Sequence, residues 1–244
     1  MQMKRGQVTL FIIISLVIII LVIFVLIFQK NLFKTEINDQ ELNKIKSYLH
    51  DCFNSKLNQG VLEISKQSGY NALPKESTEI LGEKAAYYLK NNNLLIPNIE
   101  TIQNQIGSWL NQNSENCLEI PDYSLTHEFC KATVQIQEDT IYSNWQCPVT
   151  IKKNSASILL KEFNEETKAP ISLVLGTSSK IIQEYKKNYP YLCLDCLDKI
   201  ASENNVSLII IPINANNQNS TWFLINSTKT IEDEYLIWRF VVER

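Results

Sequence analysis

The chain has 244 residues and a formal net charge of −3. It shows no basic stripe, which excludes a nucleic-acid partner of the usual electrostatic kind. With six glycines in all, it has no phosphate-cradling glycine loop, and no G-x-S-x-G elbow presents a serine nucleophile.

The first element is Val8 to Phe28, 21 residues in which only Thr9 and Ser15 are not strongly apolar. As a helix this run is ~32 Å long, about one hydrocarbon core. Inserting it into a bilayer is favourable by roughly 5–10 kcal/mol. The expectation is a single transmembrane helix over 8–28, preceded by a short basic segment over 1–7, with the bilayer as a partner. No A-x-A-like site closes the run, which argues against a cleaved secretory signal. Lys4 and Arg5 are balanced by Lys30 and Lys34, so flanking charge does not orient the helix. The cysteines do. Cys52, Cys117, Cys130, Cys147, Cys193 and Cys196 all lie C-terminal to the run, and an even set points to an oxidising compartment. The expected localisation is therefore single-pass, with an extracytoplasmic C-terminal body.

Lys4-Arg5-Gly6-Gln7-Val8-Thr9 resembles the class III signal of archaeal type IV pilins and archaellins. The resemblance implies a prepilin-type peptidase cutting between Gly6 and Gln7, and a retained helix that packs into a filament core. Pilins carry a glutamate at the fifth mature position, where this chain has Phe11. Tyr48-Leu-His-Asp-Cys52, Glu115-Asn-Cys117-Leu118 and Leu192-Cys193-Leu-Asp-Cys196-Leu197 extend the likeness. They are similar to a set of uncharacterised single-pass proteins of small-genome archaea. That resemblance implies a location, a fold and membrane or surface protein partners, and no activity.

Beyond the polar segment Gln29 to Asp39, a helical period starts at Glu41. Leu42, Ile45, Leu49, Cys52, Phe53 and Leu57 fall on one side, with Val61 to Ile64 continuing and Gly69 suited to the C-cap. This is read as a stem helix whose stripe packs on the downstream body, a coiled-coil partner being the alternative. Tyr70 to Pro74 is irregular. Ala85 to Ile96 reads as a hairpin with an Asn turn, or as a short helix ending at Asn91. Asn98 caps a helix bearing Ile99, Ile102, Ile106, Trp109 and Leu110. Cys117 comes soon after, and pairing with Cys52 would tie this helix to the stem; two buried thiols are the alternative.

From Cys130 the period becomes two. If Glu138-Asp139 is the centre of a turn, Cys130 and Cys147 lie opposite each other on adjacent antiparallel strands, at bondable distance. Pro148 to Ile151 continues the second strand and Ser157 to Leu160 forms another. Glu162 to Ala169 reads as a charged connector and Ile171 to Leu175 as a β-like run. A break at Gly176 to Ser179 leads to a helix through Ile181, Ile182 and Tyr185. Cys193 to Ala201 is a short helix. Val206 to Ile213, Thr221 to Asn226 and Tyr235 to Val242 are strands, with Asn214 to Ser220 a turn-rich link.

The overall expectation is α+β: one transmembrane helix, then a disulfide-linked body with mostly antiparallel strands. Residues 29–120 hold the stem and a first α+β region. Residues 121–244 hold a second one, with the hairpin, the C-x-x-C helix and the last strands. Cys193-Leu-Asp-Cys196 is read first as a local structural disulfide, with thiol exchange, free thiols or metal as alternatives. A zinc site lacks a second such pair, and His50 and His127 are read as surface or stem residues. Glu162, Glu165 and Glu166, and Glu232 to Glu234, lack calcium-loop spacing and read as solvated loops. Asn205, Asn219 and Asn226 head N-x-[ST] glycosylation triplets. No catalytic residue, metal or cofactor is assigned. The expected role is structural or interactive at a cell surface, pilin-like in its start. A membrane-tethered thiol oxidoreductase using Cys193 and Cys196, or an envelope ligand-binding module, are the rivals.

Overall fold

The computed structural model describes residues 14–26, 37–80, 82–120, 123–153, 156–215 and 218–243. The first described element, α1, is an apolar helix over residues 14–26. Its 13 described residues span about 20 Å, short of a hydrocarbon core. Among the described residues no helix is long and apolar enough to cross a membrane. This corrects the expected transmembrane helix over 8–28, and with it the fold class that contained it and the single-pass localisation. The ends of the apolar run, like the Gly6–Gln7 cleavage site, lie outside the described residues.

The long helix α2 (Asp39–Lys66) organises the packing of both sheets. Asn38 caps it by accepting from the Glu41 amide at 2.8 Å, and Asp39 and Glu41 complement the dipole at its start. Its buried residues Ile45, Leu49, Phe53, Leu57 and Val61 recur every four positions. That spacing overshoots the 3.6-residue turn, so the stripe winds around the helix along its length. The two halves of α2 consequently meet different partners.

The N-terminal half faces a four-stranded antiparallel sheet built from β4 (Ser124–His127), β5 (Lys131–Gln137), β6 (Thr140–Lys153) and β7 (Ala156–Lys168). Strand β6 is central, with β4 and β5 along one side and β7 along the other. Phe53 packs between Trp145 and Phe163, at ring centroid distances of 4.6 and 4.9 Å. Glu138 and Asp139 form the β5–β6 turn, Glu138 with φ +52°. The pairs Gln137 with Thr140 and Lys131 with Gln146 carry that register back to the Cys130–Cys147 disulfide.

The C-terminal half of α2 reaches a six-stranded sheet in the order β1 (Ser77–Ile80), β2 (Glu83–Lys90), β10 (Glu234–Glu243), β9 (Gln218–Ile231), β8 (Val206–Ala215), with β3 (Asn93–Leu94) paired to β2. All its pairings are antiparallel except β2 with β10. That parallel contact joins the two sequence halves in one sheet. Its inner face stacks Phe240 between Tyr88 and Phe223 at 4.9 and 5.2 Å. The buried Trp238 indole donates to the Tyr88 hydroxyl at 2.9 Å, and that hydroxyl donates to the Ser68 carbonyl at 2.8 Å. The buried Trp238 indole and Tyr88 hydroxyl thus each have a partner. Gly69, with φ +86°, turns the chain out of α2 directly against Trp238.

Helix α3 (Ile99–Asn113) starts at Asn98, whose side chain accepts from the Thr101 amide at 2.7 Å. It packs on β5 and covers that strand's open edge. Gln103 and Asn111 accept the Ile136 and Ala132 amides at 3.0 and 2.7 Å. An edge that would otherwise present bare N–H groups is closed this way. A 3₁₀ turn at Glu115–Leu118 then carries Cys117 to its disulfide with Cys52.

Helices α4 (Ile171–Asn188) and α5 (Leu194–Glu203) cover the larger sheet through contacts of α4 with β9 and of α5 with β8. Two expectations are corrected here. Ile171 to Ser179 is helical throughout: the Thr177, Ser178 and Ser179 hydroxyls bond back to the carbonyls of Leu173, Val174 and Leu175. This satisfies them inside the helix instead of breaking it. Glu162 to Lys168 is the second half of β7, paired residue for residue with β6. Strands β8 and β9 also run further into the Asn214 to Ser220 link than expected.

Candidate functional site

Two clusters carry chemistry. The first comes from β7 lying against α2. Glu165 pairs in register with Ser143, so it shares the inner face with Trp145 and Phe163. Its side chain is 1% exposed, whereas that of its partner His50 on α2 is 62% exposed. This corrects the solvated-loop expectation for Glu165. His50 Nδ1 lies 2.8 Å from Oε1, the hydrogen-bonded oxygen, and 2.7 Å from Oε2, which accepts no hydrogen bond. One turn along α2, the Asn54 side-chain oxygen is buried and also lacks a donor. Glu165 lines three adjoining depressions of about 340, 380 and 570 Å³, which also expose Asn54, Tyr142, Asn164 and Glu166.

Burial raises the Glu165 carboxyl above the ordinary 4.5; His50 opposes this and Asp51 adds to it. A carboxyl raised on folding keeps its proton at pH values where the unfolded chain has lost it. Its contribution to stability is thus complete below about 4.5 and declines as pH rises through the folded-state value. Urea unfolding of wild type and Glu165→Gln between about pH 4 and about pH 7 checks this. The variant should gain stability relative to wild type as pH rises. A difference that stays flat with pH contradicts the assignment.

The second cluster is Cys193-Leu-Asp-Cys196. Cys193 is the N-cap residue of α5 and Cys196 lies in its first turn, and the two form a disulfide. The Glu184 carboxylate, from the last turns of α4, and both sulfurs lie within 4.8 Å of one another, all half-buried. Asn188 holds that carboxylate, its amide donating to Glu184 Oε1 at 2.6 Å and to the Glu184 carbonyl at 3.0 Å. Lys187 Nζ stands 3.9 Å from Oε1. Tyr191 and Leu194 flank the pair and are 81% and 60% exposed.

No family model, curated protein or solved structure matches the chain. Function therefore rests on geometry.

The remaining residues singled out in the sequence lie apart. Cys52–Cys117 and Cys130–Cys147 are disulfides of the core, with Cys117 and Cys147 fully buried. Asn205 is exposed, at φ +52° in the α5–β8 turn. Asn226 is half-buried in β9, its side-chain oxygen buried without a partner. The side chain of Asn219 lies outside the described residues. His127 is exposed on β4, and Glu232 and Asp233 form the β9–β10 turn. Sequence reasoning missed Glu184. Its signal was local: a carboxylate on the last turns of the helix preceding a C-x-x-C. The His50–Glu165 pair spans 115 positions and had no such signal.

Proposed function

We propose that this protein is a structural subunit that associates with copies of itself through α1, rather than a catalyst. The observation that carries the proposal is the apolar character of α1 around its whole circumference. It holds no charged residue, and its twelve large apolar side chains are between 45% and 62% exposed. An amphipathic helix would need cover on one face only, whereas this one needs cover on all sides. A groove on an unrelated partner covers one side; several parallel copies cover every side. Burying the remaining exposed half of twelve such side chains is worth about 10 kcal/mol, comparable to the freedom lost on association. The likeness of the chain's start to pilins, whose helices pack together in a filament core, supports the same occupant. The disulfide-linked body is suited to an oxidising compartment, where such bonds persist.

Sedimentation velocity of the full chain and of the Ile18→Lys/Val22→Lys variant tests this. The two positions lie one turn apart on the same face. Two lost apolar contacts, about 3 kcal/mol, should raise the concentration needed for association roughly 100-fold. Equal size distributions for the two proteins would refute the proposal.

A further inference from the structure

We infer that Cys193–Cys196 is an exchangeable disulfide that accepts electrons from an external dithiol, with Glu184 as the proton-handling group. Three observations carry this, none of which depends on self-association. The first is access. Both cysteines are half-buried at the start of α5, whereas each of the other two disulfides has at least one buried cysteine: Cys130 and Cys147 are both buried, and half-buried Cys52 pairs with buried Cys117. The second is the short ring: the cysteines are 3 residues apart, against 17 and 65 for the other pairs. A ring this small restrains the unfolded chain least, so structure alone accounts for it least. The third is the Glu184 carboxylate within 4.8 Å of both sulfurs, held in place by Asn188. A purely structural disulfide makes no use of a fixed carboxylate.

Asp195 lies beside the pair in the first turn of α5. Lys187 stands beside Glu184, and Asp198 and Lys199 lie further along α5. In the first step the thiolate of the incoming dithiol attacks Cys193 Sγ, next to the exposed Tyr191 and Leu194. The Cys193–Cys196 bond breaks and its electron pair leaves on Cys196 Sγ. In the second step the other thiol of the partner gives its proton to Glu184 and attacks its own mixed-disulfide sulfur. This releases Cys193 as a thiolate and closes the partner's disulfide. Two electrons pass from the dithiol to the protein, and two protons end on Cys193 and Cys196, one of them by way of Glu184. The partner is oxidised to a cyclic or internal disulfide.

The test uses the native, oxidised full chain with dithiothreitol as the dithiol, quenched by alkylation and read by peptide mass. Cys193 and Cys196 are expected to be alkylated while the other four cysteines remain paired. Glu184→Gln should slow the reaction about 100-fold near neutral pH and flatten its pH–rate profile, with the fold unchanged by circular dichroism. Reduction of all three disulfides together in wild type would overturn the proposal without reference to any variant. A Glu184→Gln rate and profile equal to wild type would overturn the role of the carboxylate.

Discussion

Replacing Cys52 and Cys117 together by alanine is expected to lower stability by about 4 kcal/mol. This disulfide spans 65 positions and fastens the turn after α3 to the middle of α2. Cross-linking restricts the unfolded chain more as the closed loop lengthens. The matching double replacement of Cys193 and Cys196, 3 residues apart, should cost about 2 kcal/mol or less. Urea unfolding of the two double variants beside wild type, under non-reducing conditions, measures the order. A smaller loss at Cys52–Cys117 than at Cys193–Cys196 would mean that α2 and the 3₁₀ turn are held together without the bond.

The second large effect is expected at Phe53. Its ring is fully buried on α2, against Trp145 of β6 and Phe163 of β7. The closely packed neighbours cannot collapse into the space left by alanine, so Phe53→Ala should cost about 3–5 kcal/mol. The loss should appear as a lower denaturant midpoint. It should also appear as faster amide exchange in β6 and β7, whereas β9 and β10 keep their protection until global unfolding. Equal loss of protection in both sheets would show that α2 does not divide its packing between them.

The two halves of the molecule differ in how far sequence reasoning reached. The Glu138–Asp139 turn, the Asn98 cap, the Asn91–Asn92 turn and the Cys130–Cys147 register are all local, and period and spacing resolve them. Ile171 to Leu175 misled because a short, mostly apolar run suits a buried strand and a buried helix equally. The hydroxyl residues after Gly176 looked like a break until their bonds to the preceding turn were known. The second half of β7 was obscured because its inner face carries Glu165 and Thr167, where a hydrophobic alternation would be sought. The parallel pairing of β2 with β10 joins residues about 150 positions apart and leaves no local trace. The apolar run at the start gave a clear hydropathy signal, and its ends lie outside the described residues. The described helix has 13 residues.

Assembly through α1 is tested most directly by sedimentation equilibrium of the oxidised full chain in aqueous buffer, over about a hundredfold range of concentration. The weight-average mass is expected to rise with concentration through multiples of the 28.1 kDa chain. A constant 28.1 kDa at every concentration would contradict self-association.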